Sequence, residues 1–319
     1  MSATSGDRRP GPVSDLRRFA PHTVTTKPWQ LEKAIDEYAR AGFGGMSIWR
    51  DAMDGRNPAT VRKQLTQAGL TGVSLVRGGF FAQTDPTARA AAMEDNRRCI
   101  AEAHELGLPL IVLVCGADPT IPLEESRAII TDSLAQLAPE AAAAGVQLGI
   151  EPLHPMYADT RSAVNTLTQA VRMAKEANAA AALPAAATHA TPRATPPSRP
   201  SAPSPALPAA ASPPPQVTTV VDVYHLWWDE TLPAAIAEAG AHNLLSAFHV
   251  CDWRVPTEHM LLDRGLMGEG CIDIPGIRGH VEAAGFTGLI EVEIFSERYW
   301  TMDQSEWLQM IIKACRQAV

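Results

Sequence analysis

The chain has 319 residues, 46% of them hydrophobic and 19% charged, with a formal net charge of -8, enough for one large domain or two modest ones with a sizeable core. The acidic balance argues against a surface built to track a polyanion and against a polybasic membrane-surface protein. No uninterrupted apolar stretch approaches the roughly 20 residues of a membrane span.

The N-terminus, MSATSGDRRPGPV, carries two arginines with no apolar core after them, unlike a secretory signal. Residues 1–15 read as a disordered tail. A first strand is predicted over Arg18–Val24, then a helix over Gln30–Ala41, whose Leu31, Ala34, Ile35 and Tyr38 repeat at three and four. The strand Gly45–Trp49 precedes a short helix Val61–Ala68. The strand Gly72–Val76 precedes a helix Pro86–Leu106, which opens on Asp85 with proline in its first turn and closes on Gly107. The strands Pro109–Cys115 and Val146–Glu151 are followed by helices over Ser126–Ala144 and Thr160–Ala177.

Residues 178–215 break the pattern. Eleven of the chain's 26 prolines lie there, and Arg193 and Arg199 are the segment's sole charges. Such a segment buries too little apolar surface to offset chain ordering and reads as a disordered Pro/Ala-rich insertion. The alternation then resumes: strand Val217–Tyr224, helix Leu232–Ala239, strand Leu244–Cys251, helix Ile274–Ala284, strand Thr287–Phe295, helix Ser305–Ala318. Each strand is short and Val/Ile/Leu-rich, as buried parallel strands are.

Eight strands alternating with eight helices give a parallel α/β fold. The count, the length and the lack of a G-x-G-x-x-G after the first strand favour a (β/α)8 TIM barrel over an open doubly wound sheet. The expected organisation is a single barrel over 16–319, with 178–215 inserted between the fifth helix and the sixth strand. Helix-to-strand connections lie on the barrel face opposite the chemistry, so the insertion is expected below the barrel. The five cysteines (Cys99, Cys115, Cys251, Cys271, Cys315) are widely spaced with no C-x-x-C. No disulfide framework or cysteine zinc site follows, and a cytoplasmic home is expected.

The chemistry concentrates at the ends of the last four strands: Glu151 in LGIEPLHP, Asp222 and His225 in VVDVYH, His249 in AFHVCD, and Glu291 and Glu293 in LIEVEIF. A carboxylate inside a buried strand is costly unless paired or bound to a cation. Three carboxylates and one imidazole at one barrel end suit Mn²⁺, Mg²⁺ or Co²⁺ rather than a thiolate zinc site.

These stretches, with GLMGEGCIDI and GFTGLIEVEIF, resemble the xylose-isomerase-like TIM-barrel family of sugar (phosphate) isomerases and epimerases. The resemblance runs from about Leu16 to Tyr299 outside the insertion. It implies one divalent metal ion, Mn²⁺ foremost, held by Glu151, Asp222, His249 and Glu293. Glu291, facing the same way one step deeper, is the alternative to Glu293. It also implies proton abstraction next to a carbonyl, with the enediolate charge falling on oxygens held by the cation and with Glu151 and Glu293 as acid and base. His225 would contact a substrate oxygen, His154 would supply a hydroxyl donor or further acid/base, and Arg254 would bind substrate.

Arg50 and Arg77 follow the second and third strands and suit a carboxylate or phosphate. Trp49, Trp227, Trp228, Trp253 and Trp300 cluster at strand ends and suit a sugar's C–H face. The expected partner is a small carbohydrate, with neither nucleic acid nor membrane, and a homodimer is in keeping with the family. Two other readings stay open: the metal-bearing subunit of a C-glycoside deglycosidase acting on 3-keto glycosides, and a non-catalytic binding barrel. The family's apurinic endonucleases need more histidines than this chain offers: Asp263-Arg264-Gly265 stands where theirs read Asp-Arg-His.

Overall fold

The computed structural model describes residues 10–183 and 214–319. Eight parallel strands form a nearly closed barrel: β1 (Phe19–Pro21), β2 (Gly45–Trp49), β3 (Thr71–Gly79), β4 (Leu110–Val114), β5 (Gln147–Ile150), β6 (Val217–Asp222), β7 (Leu245–Val250) and β8 (Ile290–Val292). Each pairs with its neighbours in chain order, and β8 returns to β1. The seam between β1 and β2 is held by one parallel bridge, His22 to Ser47.

Eight main helices follow the strands: α1 (Leu31–Ala41), α2 (Pro58–Ala68), α3 (Pro86–Leu106), α4 (Leu123–Ala144), α5 (Leu167–Ala181), α6 (Leu232–Ala241), α7 (Ile274–Ala283) and α8 (Gln304–Ala318). Their ends follow local chemistry. Asp85 accepts from the Ala88 N–H at the start of α3, and Gly107 takes the left-handed conformation at its end (φ 73°). Thr166 and Gln169 form a reciprocal capping box, so α5 begins at Leu167 rather than at Thr160. Val223 and Tyr224, expected to end the sixth strand, instead open a helical turn, Val223–Leu226, capped by Asp222.

The period of two sorts each strand. Ile111, Leu113, Val221, Phe248 and Val292 face the helices in the main core. Leu110, Val112, Val220 and Ala247 meet one another, with Val76, in a separate cluster inside the barrel. Two residues beyond Gly149, Val220, Ala247 and Glu291 stand Glu151, Asp222, His249 and Glu293, on the same inward face. The site is thus seated on an apolar plug at the C-terminal end of the strands.

The structure describes parts of the expected tail and of the expected insertion. Residues 10–15 lie against the barrel: the Val13 N–H donates to the Val319 carbonyl (3.2 Å), and Arg278 holds the Gly11 carbonyl (2.6 Å). The start of the expected insertion is helical, because its alanines extend α5 to Ala181. Residues 1–9 and 184–213 lie outside the described residues. At the flanks of the latter, Asn178 Oδ1 accepts from the Gln216 and Val217 N–H groups (3.0 and 2.9 Å). These contacts are at the N-terminal end of β6, opposite the site. Replacing 184–213 by a short Gly/Ser linker is therefore expected to leave kcat/KM within about twofold. Turnover lost from a folded deletion variant, checked by circular dichroism, would contradict this. The five cysteines are free thiols, and no described helix is long and apolar enough to cross a membrane.

Candidate active site

Glu151, Asp222, His249 and Glu293 come from four successive strand ends and converge in the interior, each offering a donor atom within 4.8 Å of the others. All four are buried. His249 Nδ1 lies 3.1 Å from Glu151 Oε1 and 3.9 Å from Glu293 Oε2. Among the described residues, Glu151 Oε1 and both ring nitrogens of His249 make no hydrogen bond of good geometry, close as Oε1 and Nδ1 are. Buried polar atoms left so are rare and costly. Three carboxylates and an imidazole, converging with donor atoms to spare, fit a divalent cation bound through oxygen and nitrogen.

Arg264 closes one side. It is buried, and its Nη1 donates to Asp222 Oδ2 and Glu293 Oε2, both at 3.0 Å. His22, just past β1, closes the other. Its Nδ1 is 3.1 Å from Glu293 Oε1 and its Nε2 is 3.0 Å from Glu291 Oε2. Glu291 sits one step deeper than the four, on the far side of His249, with Oε1 3.7 Å from His249 Nε2. Its Oε2 also accepts from Ser47 and, at 2.8 Å, Ser74. Glu291, His22 and His249 thus form a second buried cluster that shares His249 with the first.

The electrostatics separate these carboxyls. Burial opposes charge on Glu293, but His22, Arg264 and His249 outweigh it and hold the carboxyl below its ordinary value. Burial, with the Glu293 and Asp222 charges, pushes Glu151 up against the pull of His249. Burial also raises Asp222 despite Arg264. For His249, burial disfavours the charged ring, yet Glu291, Glu151 and Glu293 prevail and raise it to about 10. Burial and the Arg264 charge lower His225 well below the usual imidazole value.

Above the cluster opens a small cleft, whose empty space of about 310 Å³ includes open solvent at its mouth. Its walls include Glu151, Glu293, His225, Arg264, Trp49 and Arg161. Arg264 Nη2 can only donate and lies 3.1 Å from His225 Nε2, which accepts from it, while the His154 N–H approaches the other ring nitrogen, Nδ1, at 3.2 Å. Arg264 thus fixes the His225 ring at the cavity wall.

The other candidates divide. Trp49 lines the cavity, edge-on to Phe295 at 4.9 Å. His154 stacks on Trp253 at 5.1 Å, and Trp253 also meets Tyr224 and Trp227; neither His154 nor Trp253 is part of the cavity wall. Trp228 lies edge-on to His154, and Trp300 donates to the Val24 carbonyl. Arg50 turns outward to Asp95 and Glu102 of α3, both at 3.0 Å. Arg254 pairs with Asp263. The arginine that reaches the cluster is Arg264, brought in by a short antiparallel pairing of Arg264–Gly265 with Asp252–Trp253.

The family model of the xylose isomerase-like TIM barrel matches residues 35–184 and 209–312. A solved protein of Sinorhizobium meliloti 1021 is 34% identical, with a TM-score of 0.81 and coverage of 95% of this chain and 98% of its own. The IOLI protein, solved with a bound zinc atom, is 18% identical with a TM-score of 0.73, over 93% and 95% of the two chains. A D-psicose 3-epimerase, solved in the presence of D-fructose, is 16% identical with a TM-score of 0.67, over 93% and 96%. The last two likenesses show the fold. No curated protein matches the sequence.

Proposed function

The chain belongs to the xylose isomerase-like TIM-barrel family, and from that premise we propose that it is a divalent-metal-dependent sugar isomerase or epimerase that moves a proton on a carbon beside a carbonyl. The observation that carries this reading is the convergence of Glu151, Asp222, His249 and Glu293, all buried, beneath a small cleft whose wall includes Glu151 and Glu293. Those four residues would hold the cation, Mn²⁺ foremost, and when bound it would acidify the C–H beside a carbonyl by drawing charge onto oxygen.

The chain's own groups do the rest. Glu151 and Glu293 both face the cavity; one takes the proton and the other returns it. Return to the same carbon from the opposite side epimerises, and return to the neighbouring carbon isomerises. Arg264, locked by Asp222 and Glu293, keeps Glu293 ionised. Arg264, with the His225 ring that it orients, holds a substrate oxygen. Trp49 and Phe295 cover the ring and exclude water. The epimerase likeness supports this reading, as does the preference of the donor set for hard cations.

The test is incubation of the Mn²⁺-loaded protein with a panel of keto-sugars and keto-glycosides in D2O, followed by NMR. Deuterium should enter a carbon beside the carbonyl of at least one compound and should stop entering when the metal is chelated. A metal-replete protein that exchanges no proton in any of them ends the reading.

A further inference from the structure

Two arginines beside the cavity have no acidic partner among the described residues: Arg77 of β3 and Arg161 of the loop after β5. The other half-buried or buried arginines close to the site are neutralised, Arg50 by Asp95 and Glu102, Arg254 by Asp263, and Arg264 by Asp222 and Glu293. Arg161 forms part of the cavity wall, its guanidinium 5.7 Å from the Tyr157 ring centre. The Arg77 guanidinium lies 4.4 Å from the Phe80 ring centre. Phe80 packs against the cluster of Val114, Leu153 and Tyr157, all three of which line the cavity. Arg161 thus stands in the cavity wall, and Arg77 lies on a ring that packs against residues of that wall.

We propose that Arg77 and Arg161 form an anion subsite that takes a phosphate or carboxylate group carried by the substrate. The identity of that group's bearer as a keto-sugar rests on the function proposed above. The pairing of their neighbours supports the subsite: Arg50, Arg254 and Arg264 are each held by carboxylates, whereas among the described residues Arg77 and Arg161 are not. Burial and the like charge of Arg161 bear on Arg77, against Glu151 and the exposed Asp51. An anion between two guanidinium forks relieves that repulsion and satisfies their donors in the geometry arginine recognises best. Arg161 shares the cavity wall with Glu151 and Glu293, which fits an acidic or phosphorylated sugar better than a neutral glycoside.

The test uses the Mg²⁺-loaded full chain. Inorganic phosphate and glycolate are titrated by calorimetry into the wild type, Arg77→Met, Arg161→Met and the double variant. Either single change should weaken anion binding at least tenfold, and the double change should abolish it. Preference for phosphate over glycolate identifies a phosphoester substrate, and the reverse a sugar acid. Binding that persists in the double variant places the anion on the metal and overturns the subsite, as does a wild type that binds neither probe. Phenylglyoxal labelling of the wild type, read by mass spectrometry, needs no variant: phosphate should protect Arg77 and Arg161 while the exposed Arg17 stays reactive. No turnover enters these readouts. Anion binding without proton exchange removes the proposed reaction and leaves the subsite, whereas exchange on neutral sugars without anion binding removes the subsite alone.

Discussion

Glu151→Gln is expected to slow solvent-proton exchange into a keto-sugar by roughly 10²–10⁴-fold, the range a positioned acid or base supplies, while the protein stays folded and takes up cation at saturating concentration. The side chain keeps its volume and one carbonyl oxygen, so what is removed is the capacity to hold a proton. Glu151 is the cleaner of the two positions because no arginine depends on it; its nearest charged neighbour is His249 Nδ1 at 3.1 Å. Glu293→Gln should lose exchange to a similar extent but also stability, because Glu293 Oε2 is one of two carboxylate oxygens holding Arg264 and Oε1 faces His22. Breaking such a buried pair costs about 3–5 kcal/mol. Exchange rate, metal content and urea midpoint measured on both variants separate the roles. Unchanged exchange in metal-replete Glu151→Gln would show that Glu151 serves only as a ligand, and unchanged exchange in both would leave a binding barrel.

The sequence was most informative where the signal was local. Asp85-Pro86 and Gly107 are start and stop chemistry, and α3 begins and ends on them. The strict period of two put Glu151, Asp222, His249 and Glu293 on the inward face of their strands. The parts that escaped depend on closure and long-range packing. His22 stands visibly after a short strand in APHT, but its relevance requires β1 to lie beside β8, a contact across 269 residues to Glu291. Arg264 reaches Asp222 from 42 residues away through a pairing of two residues per strand, too short to leave a periodic trace. Arg50 and Arg254 have the rim position that suggests substrate binding, yet nearby carboxylates neutralise them. Which arginine is left with surplus charge is settled by which acids pack beside it, and strand-end position alone does not encode that.

Glu291→Gln should weaken divalent-metal affinity by 10–100-fold although Glu291 is not among the four converging ligands, the effect typical of a lost outer-shell partner. Its Oε1 faces His249 Nε2 at 3.7 Å, while His249 Nδ1 faces Glu151 and Glu293. The carboxylate therefore favours a proton on Nε2 and frees Nδ1 to act as a donor to the cation. An amide at the same place offers no charge for that task and sets its NH2 group against donors that now converge on Oε2, the Ser47 and Ser74 hydroxyls and His22 Nε2. Glu291→Ala goes further, since it strands two hydroxyls and an imidazole in a buried space, and should lower stability by about 3–5 kcal/mol. The pair of variants separates metal tuning from structural support: calorimetric Mn²⁺ affinity should fall in the folded Gln variant, and the urea midpoint should fall in the Ala variant. Wild-type Mn²⁺ affinity in Glu291→Gln would mean that His249 needs no partner behind it, and that the deep carboxylate only holds the β1–β8 side of the barrel together.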